Sequence, residues 1–312
     1  MSTRTTPLPA PVEGAVPPPR AAHPAPKPPN ARRPRPRPTA KPVVNAVLVV
    51  FALYTLMPLT WLLIASTKNQ EDLFATDPFG LGAFHFFTNL GDLFTRNDGI
   101  FLRWMANTLL YTVAGAFLTT LISVACGYAF DKYDFPGKEK LFGVVLVGIL
   151  VPSTVLALPL YLMASELGLV NTYWAVLIPS LVNPFAVYLA RVFSEGYVPG
   201  EALEAARMDG AGEVRIFARV SLPMLAPGFV TIFLFTFTAA WNSFYSSLMM
   251  LNDEKLYPVT LGLYTWYQSV QQQPEYYTLV IVGSLVSVVP LIVAFLCLQR
   301  FWRSGLTAGA VK

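Results

Sequence analysis

Charge is scarce in this chain. Only 13% of its 312 residues are charged, against 54% that are hydrophobic, and the mean hydropathy is +0.50. A soluble domain is near a quarter charged, so the balance points to a membrane protein. Cysteine is almost absent. Cys126 and Cys297 stand alone inside oily runs with no CxxC or Cys/His spacing, which excludes a disulfide framework and predicts inert, buried thiols. Histidine is equally rare. His23 and His85 are far apart in sequence, so a metal site has no ligands to draw on. No GxxxxGK[ST] phosphate loop occurs. Gly137-Lys138 lacks both the upstream glycine and the hydroxyl residue. No nucleophile–base pair or paired carboxylate falls in a predicted cavity, so the chain is expected to do no covalent chemistry of its own. The net charge of +4 does not imply nucleic acid, because the basic residues sit in one tail and in loops beside oily segments.

What is present falls into two parts. Residues 1–42 are Pro- and Arg-rich and poor in large apolar side chains, which predicts a disordered cytoplasmic tail with polyproline character. Arg32-Arg33 resembles a twin-arginine export signal, but the oily run behind it is too long and no A-x-A site follows. Residues 43–312 hold six uncharged runs: 43–66, 104–130, 141–165, 167–190, 220–252 and 276–299. Each exceeds the roughly 20 residues that cross a bilayer core as helix, and backbone hydrogen bonding leaves helix as the form available. The expectation is an all-α polytopic membrane protein with six transmembrane helices. Pro223 and Pro227 place the fifth near 227–250. With both termini inside, the cytoplasmic parts beyond the tail carry 10 Lys or Arg and the outer parts carry 4, which favours N-in/C-in.

The stretch "EALEAARMDGAGEVRIFARVSLPMLAP", 201–227, interrupts this oily chain. Glu201 and Glu204 are expected in the first turn of a helix, at its positive dipole end. Ala202, Ala205 and Ala206 favour helix and allow another surface to approach, and Asp209-Gly210 ends it through a left-handed glycine. Val214, Phe217 and Val220, with Arg215 and Arg219 on another face, predict an amphipathic helix, which Leu222-Pro223 turns into the fifth span.

The order "EAA…DGA…F…V.LP…P" resembles the coupling motif of the membrane subunits of bacterial ABC importers, with Glu204-Ala205-Ala206 as the triplet and Gly210 as its glycine. "LPLYLMASELGLVNTYWAVLIPSLVNPFAVYLAR" (158–191), "AAWNSF" (239–244), "LYPVTLGLYTW" (256–266) and the terminal "LTAGAVK" are similar to the carbohydrate, maltose-type group. The resemblance implies a type I permease fold in the bacterial cytoplasmic membrane. It also implies an extracytoplasmic sugar-binding protein, a second permease subunit, and a dimeric ABC ATPase that binds the ATP and Mg. This chain itself would hold no cofactor. A coupling loop, 194–222, would meet the ATPase through Glu204, Ala205, Ala206, Asp209, Gly210, Leu222 and Pro223. Polar and aromatic residues within spans are candidates for the substrate path: Asn107, Asn183, Trp241, Asn242, Ser243 and Tyr245. Helix–helix packing competes for each of them. An importer for a non-sugar solute is the alternative. An ion-driven carrier is a further one, disfavoured because the spans lack ionisable groups.

Overall fold

Every regular element among the described residues is helical. The computed structural model describes residues 40–308, so the expected tail up to residue 39 and the last four residues lie outside it. The chain divides into two units, 1–53 and 54–312. The first contributes the opening residues of α1 (Ala40–Ser66), which begins three residues before the apolar run does.

The second unit carries the remaining helices. α2 (Gln70–Ala75) is capped by Asn69, whose side chain accepts from Asp72 N. α3 (Phe86–Thr95) follows, and the left-handed residues Asn97, Asp98 and Gly99 then turn the chain into α4 (Ile100–Leu109). α4 continues through a π-helical turn, Leu110–Ala114, into α5 (Gly115–Lys132). The next two oily runs are each broken. α6 (Lys138–Leu150) and α7 (Ser153–Glu166) meet at 105°, and α8 (Tyr173–Ser180) and α9 (Pro184–Tyr197) at 41°. Pro152 and Pro184 stand at these breaks. A proline pushes the residue before it out of the helical region, and Val151 is accordingly extended at φ −78°, ψ 118°. By length and composition three stretches can cross a membrane as single helices, and six can if each bent pair is one span.

The core is layered along 100–132. Phe101 and Trp104 join Val259, Trp266 and Tyr276 at one end. Tyr111 packs with Ala175, Val176 and Met250 next, Ala116 with Phe237 and Trp241 after that, and Val124 and Tyr128 with Ala190, Leu203 and Ile216 at the far end. The most extensive helix contact is between α5 and α9. A Cβ on Gly127 would lie 2.5 Å from Ala190 Cβ and 2.5 Å from Arg191 N, so only glycine admits this approach. At the first end, α4 and the π-helical turn after it hold the loop after residue 250. Trp104 Nε1 donates to Glu254 O (2.8 Å), Asn107 Nδ2 to Lys255 O (2.8 Å) and Tyr257 O (3.0 Å), and the Tyr111 hydroxyl to Leu256 O (2.9 Å). These bonds satisfy loop carbonyls that would otherwise be costly to bury.

Both cysteines are exposed on the chain surface, a correction to the expected buried thiols. They occupy outward faces of α5 and of the helix Tyr276–Ala308, where periodicity alone does not separate an outer apolar face from a core one.

Candidate functional site

The charged stretch folds as a unit against the end of α5. After α9, Val198 is buried and Pro199 precedes α10 (Gly200–Met208). Glu201 lies in the first turn as expected, whereas Glu204 lies beyond it. Leu203 is the side chain that anchors α10, packing with Val198, Ile216, Leu225 and Tyr128. The helix then ends in two reciprocal bonds, Ala211 N to Ala206 O (3.0 Å) and Gly210 N to Arg207 O (2.9 Å), with Gly210 at φ +75°. This is the Schellman arrangement, which requires a left-handed residue at the position of Gly210.

The chain resumes as α11 (Glu213–Ile216), a π-helical turn (Phe217–Ser221) and α12 (Leu222–Met224). This segment bends by 79° into α13 (Ala226–Trp241). The expected amphipathic helix is therefore present but widened at Phe217–Ser221. Pro223 explains the local need for adjustment, since it offers no N–H to the turn before it. Ile216 is fully buried, while Val214 is 84% exposed, so the inward face is carried by Ile216 and Phe217.

A polar strut closes the loop. Arg207 Nε donates to Glu213 Oε1 (2.8 Å) and Nη2 to Oε2 (3.3 Å), and the Tyr133 hydroxyl donates to Glu213 Oε2 (2.7 Å). The Arg207 guanidinium, with help from Tyr133, holds the Glu213 carboxyl below its ordinary range. The outer face of the unit is left open. Glu204, Ala205, Asp209, Gly210 and Pro223 are exposed, Ala206 and Leu222 are half-buried, and Met208 is 88% exposed. The short helix thus has its back anchored in core, while its front presents small side chains, a carboxylate and a bare Met.

The six candidates for the path separate into groups. Asn242, Ser243 and Tyr245 line one cavity of about 410 Å³, together with Ser153, Ser180 and apolar side chains such as Leu156 and Met249. The cavity lies at the break between α13 and α14 (Tyr245–Met250). Asn242 caps the end of α13, its Nδ2 donating to Thr238 O (2.8 Å). Non-helical backbone at membrane depth is tolerated where it lines such a space. The fifth helix is thus shorter than the expected 227–250. Asn183 lines a separate space of about 250 Å³ and caps α9, accepting from Ala186 N (3.0 Å). Trp241 is 4% exposed and stacks on Phe237, and Asn107 is 5% exposed and tied to the loop carbonyls, so both serve packing.

Sequence reasoning missed Ser153, Ser180, Tyr133, Arg207 and Glu213 because their partners are distant in the chain or sit on other helices. It also missed Asn171. At φ +62° its side-chain oxygen accepts from Asn252 N (2.9 Å) and Asp253 N (2.9 Å), fixing the loop beyond α14.

Known proteins agree with this architecture. Residues 121–304 match the family described as binding-protein-dependent transport system inner membrane component. The arabinooligosaccharides transport system permease protein AraQ of Halalkalibacterium halodurans is 32% identical over 267 residues, covering 84% of this chain and 92% of the relative. The lactose transport system permease protein LacG of Rhizobium radiobacter is 27% identical over 268 residues, covering 86% and 94%. Among solved structures, a chain of a bacterial ABC transporter involved in the import of the acidic polysaccharide alginate aligns with a TM-score of 0.73 at 24% identity, covering 86% of this chain and 100% of that one, which establishes the shared fold. The chain is a multi-pass membrane permease subunit of an ABC importer, without an ATPase site of its own, and belongs to the binding-protein-dependent transport system inner membrane component family.

Proposed function

We propose that this chain forms part of the path by which a sugar or oligosaccharide enters a bacterial cell. Its spans would cross the cytoplasmic membrane six times, N-in and C-in, beside a second permease subunit. A dimeric ATPase would bind ATP and Mg beneath it, and an extracytoplasmic binding protein would deliver substrate from the other side. The relatives named for arabinooligosaccharides and lactose support the substrate class. So does the cavity at Asn242, Ser243 and Tyr245, where an amide and hydroxyls stand among apolar side chains, as a sugar's hydroxyls and ring faces require.

The observation that carries the coupling role is the two-faced construction of α10. Leu203 roots it in the core that α5, α9 and α13 share, while Glu204, Ala205, Asp209 and Gly210 face outward. ATP-driven closure of the partner would push this face, and the movement would pass through the 79° bend into α13. The test is uptake by cells carrying Glu204→Lys or Gly210→Pro at equal membrane expression, with mass spectrometry of what co-purifies in mild detergent. Weakened uptake with loss of the ATPase supports the reading. Normal uptake by both variants, or uptake that follows an ion gradient without ATP, overturns it.

A further inference from the structure

At the end of the helical body away from the coupling segment, the chain buries a cation without a counter-ion. Lys68 follows α1 and is 2% exposed. Its Nζ donates to Thr76 Oγ1 (2.8 Å) and to Asp77 O (2.8 Å), and no carboxylate lies within ion-pair distance among the described residues. An ammonium has three N–H groups, so one is left over, and a buried charge is costly unless it is paired. Lys68 also lines a cavity of about 430 Å³ whose other walls include Trp61, Leu73, Phe74, Tyr267 and Tyr277. Tyr277 and Val280 of this wall pack on the core layer around Phe101 and Trp104, the layer farthest along 100–132 from Leu203 and Ile216. Large apolar side chains in the same stretch of chain are bare, Phe74 of the cavity wall among them. Phe74, Leu81, Phe84 and Phe87 are 65%, 82%, 67% and 74% exposed.

Trp and Tyr walls and exposed Phe side chains beside the end of a membrane helix place this region at the headgroup level of a bilayer. The charges there have an order. The cation is buried, while the carboxylates of Glu71 and Asp77 are exposed on the α2 loop that Lys68 closes. An anionic lipid alone would meet those carboxylates unfavourably. A zwitterion with its anion inward and its amine outward meets both.

We infer that this cavity is a binding site for a phospholipid with a primary-amine headgroup. The phosphate takes the free N–H of Lys68, the amine is held by the Asp77 and Glu71 carboxylates, and an acyl chain lies along Trp61, Phe74 and Tyr277. The lipid supplies the buried ammonium with the anion the chain does not provide. The site is independent of the transported solute.

The test is native mass spectrometry of the full-length chain in detergent containing equal amounts of dioleoyl phosphatidylethanolamine, phosphatidylcholine and phosphatidylglycerol. The wild type should retain phosphatidylethanolamine over the other two by about tenfold, the effect of one charge-assisted hydrogen bond. Lys68→Gln should lower the retention of all three lipids, because the phosphate contact is common to them, and Lys68→Arg should keep it. The double variant Glu71→Gln/Asp77→Asn should bring phosphatidylethanolamine and phosphatidylcholine together. No preference in the wild type, a preference for phosphatidylglycerol, or lipid retention unchanged in Lys68→Gln overturns the proposal. Should Lys68→Gln fail to fold, the wild type and the exposed carboxylate pair decide it by the same criteria.

Discussion

The Tyr133 hydroxyl, at the end of α5, donates to Glu213 Oε2 across 2.7 Å, and Glu213 is the first residue of α11. Because Arg207 of α10 grips the same carboxylate, one glutamate joins three segments that are separate in the chain. Glu213→Gln should leave the chain in the membrane and reduce transport per ATP hydrolysed. Adding Tyr133→Phe should do little further, because both changes remove the same link. Transport and ATPase rates of the reconstituted importer, taken as a double-mutant cycle, measure this. Additive losses would mean that the strut does not act as one unit.

Acid should release the same strut late. The Glu213 carboxyl is held below its ordinary value of 4.5, chiefly by Arg207 and then by Tyr133. A depressed carboxyl contributes stability that is complete above its ordinary value and is lost as pH falls through the lowered one. Hydrogen exchange of the amides at 205–213 should therefore be insensitive to the strut from neutral pH down to the ordinary carboxylate range, and protection should fall only below it. Glu213→Gln should abolish that dependence. Protection lost between pH 7 and 6 in the wild type would contradict it.

Gly210 sits at φ +75° with nothing near its absent Cβ, so the cost of a side chain there is conformational and not steric. Gly210→Ala should cost about 1 kcal/mol and Gly210→Val more, with Gly210→Asn the mildest. Thermal unfolding of the purified chain, read alongside protease sensitivity of 205–213, checks the order.

Gly127 is the opposite case. Its Cβ would meet Ala190 and the Arg191 backbone at 2.5 Å, so Gly127→Ala must force α5 away from α9, at about 1–3 kcal/mol. Gly196, in the same α9, has nothing within 4 Å, and Gly196→Ala should be neutral or stabilising. A thermal shift of equal size and sign for both would refute the packing account.

The sequence displays what local rules govern. The run lengths, the charged interruption and the left-handed Gly210 are all legible because each depends on neighbours within a few residues. The bends are less so. Pro58, Pro159, Pro179 and Pro290 lie inside helices, whereas Pro152 and Pro184 sit at breaks. A proline removes one N–H in every case, and whether the chain then bends depends on what packs around it. The path candidates scatter for a similar reason. Asn107 and Asn242 are the same side chain on comparable oily helices. One ties down a loop 148 and 150 residues away, and the other opens on a cavity beside its own helix break. Tyr133 and Glu213, 80 residues apart, carry no signal that relates them.

The way Leu203, Ile216 and Leu225 share a core with Val124, Tyr128 and Ala190 bears on engineering. The segment 198–225 is not a detachable plug. A chimaera that swaps only this loop for a relative's would bring in new inward side chains against unchanged α5 and α9 surfaces, and would part Glu213 from Tyr133. A graft meant to change which ATPase the chain accepts should leave Leu203, Arg207, Gly210 and Glu213 in place and replace only other outward positions such as Glu204, Ala205 and Asp209. Under the proposed coupling role, such a graft would alter partner choice and leave the support behind the docking face unchanged.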